Sequence, residues 1–277
     1  MSAFGFRSMI KVLARSRSWR FLSDMRHPAE MLGQSSSPPL ARLRWSGQEV
    51  FYRSGTRDPF AIYQVLLKPG RKAEYYVPSV LNPEIIVDIG SNIGSAIIYF
   101  HHRFPNAQII GFEPHPETFQ VLQKNVAHLG GVKVFNCALG AVEERISVPA
   151  DRIHFGGFKV RGRFKVHGEP EKIECQVRRL DDVLRENGVS QIDLIKIDCE
   201  GAEADVFATL PDEILNNCGW IVGEFHDHTA FEILARLAPH FHLDLKKQMF
   251  RPRFRFHACN ISRAPELARS EVEALQS

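Results

Sequence analysis

The sequence predicts an α/β protein on a mostly parallel sheet, closed by a C-terminal antiparallel hairpin and carrying an antiparallel β-ribbon insertion. Three observations carry that prediction. Ile85-Ile86-Val87-Asp88-Ile89 is an apolar run of the kind buried on both faces of a sheet, and Gly90-Ser91-Asn92-Ile93-Gly94 separates it from apolar Ala96-Ile97-Ile98-Tyr99-Phe100. That order is strand, glycine turn, helix. Further strand-like runs alternate with helical ones, which implies right-handed βαβ units. Two more strand-like runs, 241–249 and 254–262, follow each other with no helix between them.

Whole-chain properties narrow the class. At 277 residues, 44% hydrophobic and 24% charged, the chain suits one large domain with extensions and is not disordered throughout. A net charge of +3 is too small to argue for any partner. The five cysteines (137, 175, 199, 218 and 259) are scattered without a C-x-x-C pair, so a reduced, cytoplasmic setting is expected and a zinc cage is not. No apolar run reaches the ~18 residues of a membrane span.

In chain order, residues 1–40 form a basic N-terminal extension. Arg7, Lys11, Arg15, Arg17 and Arg20 alternate with apolar residues and meet no acidic residue before Leu22. The segment reads as a surface helix, with contact to an anionic membrane, or an organelle-targeting peptide, as the alternative. Residues 34–39 read as a linker. Residues 41–80 form a cap: a short strand at 50–53, a helix over 58–66 with Asp58 as N-cap and Pro59 at its first position, and 74–78 folding over the ligand pocket.

The main domain spans 81–265. Its second strand is 107–112, followed by a helix over 116–128 and a third strand over 132–140. Residues 145–177 break the rhythm: Lys159, Arg161, Arg163, Lys165 and His167 alternate with apolar neighbours, a ribbon with one basic face. A short helix at 180–184 leads to a fourth parallel strand at 192–198, and 199–203 open the next helix. The fifth strand is 220–226 and its helix 231–237. In the closing hairpin Arg251, Arg253 and Arg255 share a face, and 266–277 is a polar tail.

In an open α/β sheet a ligand sits beyond the carboxyl ends of the strands, where strand order reverses. The residues at those ends are 88–94, Glu113, Asn136, 198–203 and 224–228. The spacing Gly90-x-x-x-Gly94 differs from the G-x-G-x-x-G of a dinucleotide cradle and points to a ligand without phosphates, such as S-adenosylmethionine. The expected cofactor contacts are Asp88, Gly90, Asn92, Gly94, Glu113, Asn136 and Asp198. Glu113, at the end of strand two, is placed to accept both hydrogen bonds of a ribose diol.

The chain resembles the FkbM family of S-adenosylmethionine-dependent methyltransferases. The resemblance rests on Val87-Asp88-Ile89-Gly90-Ser91-Asn92-Ile93-Gly94, Phe112-Glu113-Pro114-His115-Pro116, Ala138-Leu139-Gly140, Leu180-Asp181-Asp182 and Lys196-Ile197-Asp198-Cys199-Glu200-Gly201-Ala202-Glu203. Ser91, Cys199 and Arg179 depart mildly from the usual alanine, valine and threonine. The resemblance implies a class I, Rossmann-like methyltransferase fold and O-methylation, often of a sugar or polyketide hydroxyl.

The chemistry of the residues agrees. Methyl transfer needs the acceptor in line with the S–CH3 bond, and an alcohol needs a base. Asp198 is the expected base or substrate anchor, His226 the competing base, and Glu200 lies on the same turn. Glu224, His226 and His154 are the expected substrate contacts, whereas Glu203 reads as a helix-capping carboxylate. A divalent metal held by Asp198, Glu224, His226 and His228 is the less favoured reading. The expected partner is a small molecule or glycan. An RNA methyltransferase and a non-catalytic cofactor-binding protein are the alternatives, RNA being disfavoured for want of a recognition module.

Overall fold

The computed structural model describes residues 11, 13–26, 38–78, 80–149, 172–226, 230–247 and 253–263. Seven strands form the central sheet: β3 (Ile85–Ile89), β4 (Gln108–Phe112), β5 (Val132–Phe135), β9 (Leu194–Ile197), β10 (Trp220–Phe225), β11 (Phe241–Lys247) and β12 (Phe254–Asn260). Their order is β11-β12-β10-β9-β3-β4-β5. Strand β12 runs antiparallel to both its neighbours, and the other paired strands are parallel. The chain leaves β3 toward β4 and β5, then returns to its other side at β9. The order therefore reverses at β3, which places the ligand crevice beyond its carboxyl end.

Burial on both faces explains the unbroken apolar strands. Ile86 faces one core, with Ile97 and Phe100 of α3 (Ser95–Arg103) and Leu122 of α4 (Pro116–Val126). Val87 and Ile89 face the other, with Val183 of α5 (Leu180–Glu186), Phe207 of α6 (Glu203–Thr209) and Ile233 of α8 (Ala230–Leu237). A further helix, α7 (Asp212–Asn217), buries Leu215 in that second core. The result is a three-layer α/β sandwich, as the strand and helix alternation predicts.

Against the first core lies the cap. Helix α1 (Trp19–Arg26) buries Phe21, Leu22 and Met25 there, and β1 (Leu40–Trp45) pairs antiparallel with β2 (Gln48–Arg53). Strand β1 is absent from the sequence reading, although exposed Arg42 and Arg44 alternate with buried Ala41 and Leu43 and a Ser46-Gly47 turn follows. Asn125 of α4, fully buried, clamps the cap: its side chain accepts from Phe51 N–H and donates to the Phe51 and Ile93 carbonyls.

Asp58 is not the helix cap the sequence suggests. Helix α2 (Asp58–Ile62) starts after Arg57 without a side-chain cap, and the Asp58 carboxylate accepts from Arg53 N–H, Nε and Nη2 at 2.8–2.9 Å. Ion pairing with a buried guanidinium wins over the exposed helix end because both charges are otherwise desolvated. Breaking such a pair strands a buried charge, so Arg53→Ala should lower unfolding stability by about 3–5 kcal/mol, read in urea. A loss under about 1 kcal/mol would show that the pair holds nothing in place.

The third predicted strand divides in two. Strand β5 ends at Phe135, and β6 (Ala138–Leu139) turns away to pair with β8 (Lys172–Arg178), which pairs antiparallel with β7 (Glu144–Pro149). The ribbon is thus part of a separate three-stranded sheet. Its basic stretch, 159–167, and His154 lie outside the described residues, as do His228, Arg251 and the polar tail.

Candidate active site

Beyond β3 the chain turns sharply at Gly90. Its φ is +78°, and a Cβ there would lie 1.9 Å from the Asp198 carbonyl oxygen. Glycine lets the turn pass directly against the end of β9 and so sets the distance to Asp198. Gly90→Ala should therefore cost more than about 2 kcal/mol of stability and displace Asp198, measurable as a lower urea midpoint. An unchanged midpoint would mean that the two segments part without cost. Gly94, by contrast, abuts Leu122 of α4 and serves helix packing.

The amides of the turn are taken up internally. Gly90 and Ser91 N–H donate to the Phe112 carbonyl, and Asn92 N–H donates to Glu113 Oε2 at 2.8 Å. What the turn offers outward is side-chain oxygen: Asn92 Oδ1 and Ser95 Oγ are buried with no hydrogen-bond partner, and both residues line a cavity of about 430 Å³. A polar ligand group is the natural partner for such atoms.

Lys196 of β9 fastens the turn from below. Its Nζ lies 3.0 Å from Asp88 Oδ1 and donates to the carbonyls of Ile89 and Gly90. Burial opposes its charge, but Asp88 and Asp198 outweigh that and raise its pKa. Asp88 is fully buried, so it acts as the counter-ion of Lys196 beneath the turn.

Glu113 stands across the turn, outside the cavity lining. Its Oε1 accepts from His115 N–H and its Oε2 from Asn92 N–H, and burial pushes its carboxyl up to about 7. Asn136 Nδ2 donates to the Glu113 and Pro114 carbonyls and holds that corner in place. Asn92 therefore joins two half-sites, with its backbone on Glu113 and its side chain in the cavity.

The second half-site gathers at the ends of β9 and β10. Residues 199–202, read from sequence as opening a helix, form a turn, and α6 begins at Glu203. Glu200 takes φ +54°, a conformation uncommon outside glycine. The turn carries Glu200 and Glu203 to His226. His226 Nδ1 meets Glu203 Oε1 at 2.7 Å, while Nε2 lies 3.5 Å from both Asp198 Oδ1 and Glu200 Oε2 and 3.9 Å from Glu224 Oε2. Burial opposes charge on His226, and Glu203, Asp198 and Glu200 outweigh it, raising its pKa. For Asp198 burial is offset by His226, Lys196 and Tyr75, and its pKa falls.

Several members of this cluster escape the sequence reading. Tyr75 donates from its hydroxyl to Asp198 Oδ2 at 2.6 Å, which puts the 74–78 segment in the site. Glu203 does cap, accepting from Gly201 N–H, but the same oxygen fixes His226. Arg253 Nη2 donates to Glu200 at 3.0 Å, and Arg255 Nε donates to Glu224 at 2.8 Å and also pairs with Glu74. The two arginines are thus bound to carboxylates within the site. A Lys-x-Asp-x-Glu-x-x-Glu run was the available signal for Lys196 and Glu203; Tyr75 and the arginines had none.

Comparison with known proteins follows the same lines. The Methyltransferase FkbM domain matches residues 88–252. The chain is 32% identical to "Methyltransferase sdnD" from Sordaria araneosa over 50% of this chain and 65% of that one. It is 29% identical to the "31-O-demethyl-FK506 methyltransferase FkbM" from Streptomyces tacrolimicus, covering 52% and 66%. It is 30% identical to the "2-O-methyltransferase NoeI" from Sinorhizobium fredii, covering 53% and 65%. The matches thus span less than two thirds of these relatives' own length, 65–66%. Among the described residues no helix is long and apolar enough to cross a membrane.

Proposed function

We propose that this chain, which belongs to the FkbM methyltransferase family, transfers a methyl group from S-adenosylmethionine to a hydroxyl of a sugar, glycan or polyketide-like small molecule. The observation that carries this reading is the pair of half-sites bridged by Asn92. Glu113 lies on one side of the turn, and Asp198 and His226 lie on the other. The residues fit a donor with a ribose diol and a polar amino-acid end: a buried carboxylate for the diol, and the orphaned Asn92 Oδ1 and Ser95 Oγ for the other end.

The donor, when bound, supplies an electrophilic methyl on a sulfonium, which leaves as a neutral thioether. The protein's part is to orient and to accept a proton. Asp198, placed by Tyr75 and by the end of β9, faces the cavity, where it anchors the acceptor hydroxyl. The O–H proton passes to the Asp198–His226–Glu200 cluster as the O–CH3 bond forms. Glu203 fixes the ring orientation of His226 by holding Nδ1. Glu224 lines the acceptor's side of the cavity, and His226 lies buried behind it.

The test is calorimetric titration of the purified chain with S-adenosylmethionine, S-adenosylhomocysteine and NAD, followed by labelled methyl transfer to a panel of glycosides. Micromolar binding of the first two, without NAD binding, is the expected result. Folded protein that binds neither would overturn the proposal.

A further inference from the structure

Around His226 the site has more in it than methyl transfer by an imidazole or carboxylate base requires. Nε2 is fully buried and makes no hydrogen bond; the side chain is 1% exposed. Three carboxylate oxygens surround it, Asp198 Oδ1 and Glu200 Oε2 at 3.5 Å and Glu224 Oε2 at 3.9 Å. Those separations are too long for hydrogen bonds, yet they are close to the spacing of ligand atoms that share one metal ion at about 2.0–2.2 Å each. One donor atom from each of Asp198, Glu224 and His226 lies within 4.8 Å of the others.

Charge favours the same occupant. The carboxylates of Asp198, Glu200, Glu203 and Glu224 converge here, against the guanidiniums of Arg253 and Arg255 and the ammonium of Lys196, which is shared between Asp88 and Asp198. Arg255 binds Glu224 through Oε1, while Oε2 lies 3.9 Å from both His226 Nε2 and Arg253 Nη1. Glu203 holds Nδ1, an arrangement that directs the other ring nitrogen at a metal.

We infer that Asp198, Glu224 and His226, with Glu200 beside them, form a binding site for a divalent cation of the Mn/Mg/Zn class. One imidazole among carboxylate oxygens suits that class. The inference rests on the methyltransferase reading in one respect: the cation lies where the acceptor hydroxyl is placed, and it takes that oxygen as a further ligand. It then polarises the hydroxyl, and His226 is a ligand where the simpler mechanism has it share the proton.

The test separates the two readings. The 277-residue chain, stripped with EDTA, is titrated with MnCl2 while free Mn2+ is followed by electron paramagnetic resonance, with Zn2+ and Mg2+ as competitors. S-adenosylhomocysteine binding is measured on the same stripped protein. One Mn2+ per chain is expected, weakened at least about tenfold in His226→Gln and in Glu224→Gln and unchanged in Glu186→Gln, whose exposed carboxylate pairs with Arg178 away from the site. Glu224→Gln keeps an oxygen for Arg255, so it serves if His226→Gln does not fold. No stoichiometric binding of any of the three ions by folded protein, or equal binding by the variants, overturns the cation site. If S-adenosylhomocysteine still binds in that case, the methyltransferase reading stands without it; if Mn2+ binds and S-adenosylhomocysteine does not, the reverse holds.

Discussion

Glu113→Gln is expected to weaken S-adenosylhomocysteine binding by about 100-fold, the loss of roughly two charge-assisted hydrogen bonds from a buried carboxylate. The substitution keeps the size of the side chain but replaces one oxygen by an N–H donor. Both oxygens already accept backbone N–H groups, from Asn92 and His115, so the amide sets donor against donor at one of them. The glycine turn is then disturbed along with the ligand contact. Calorimetry reads the affinity directly, and a change under threefold would place the ribose elsewhere.

The same residue gives a pH signature. Burial pushes the Glu113 carboxyl up from 4.5 to about 7 in the folded protein. Between those values the unfolded chain ionises first, so this group makes the ligand-free protein less stable as pH rises through the window. The proposed ligand binding runs the opposite way, because the ionised carboxylate is the form that would accept two ribose hydroxyls. Affinity should rise about tenfold per pH unit below 7 and level off above it. Glu113→Gln should flatten both trends.

Asp198→Asn is the second large effect: kcat should fall by about a thousandfold while S-adenosylhomocysteine affinity stays within about threefold. Asparagine still accepts from the Tyr75 hydroxyl, so the fold of the cap is retained. What is lost is negative charge at the acceptor, whether it serves a proton or a cation. Labelled methyl transfer set beside calorimetry separates rate from binding. Loss of both together would mean that Asp198 anchors the donor, and retention of both would remove it from the chemistry.

Much of this was legible in the chain. Ile85 to Gly94 specified a buried strand, a turn and a helix because sheet and helix periodicity are local properties. The positions of Glu113, Asp198 and His226 at strand ends followed from those periods, and parallel strands carry their carboxyl ends to one side. Local pattern misjudged Asp58 because the competitor for its carboxylate, Arg53, lies on another element. It also ran 132–140 together as one strand, because nothing in those residues says that β6 will pair with β8.

What only the tertiary structure decided is the composition of the cluster around Asp198 and His226. Tyr75 reaches Asp198 across 123 positions of sequence, and Arg255 reaches Glu74 across 181. No period or spacing encodes such contacts. They arise because β12 inserts antiparallel beside β10, bringing Arg253 and Arg255 to the carboxyl end of the parallel strands, and because the cap folds over the turn to bury its apolar face. The sequence determined which residues stand at strand ends. Long-range strand pairing and cap burial decided which of them share a buried, low-dielectric space, where hydrogen bonds and charge interactions gain their strength.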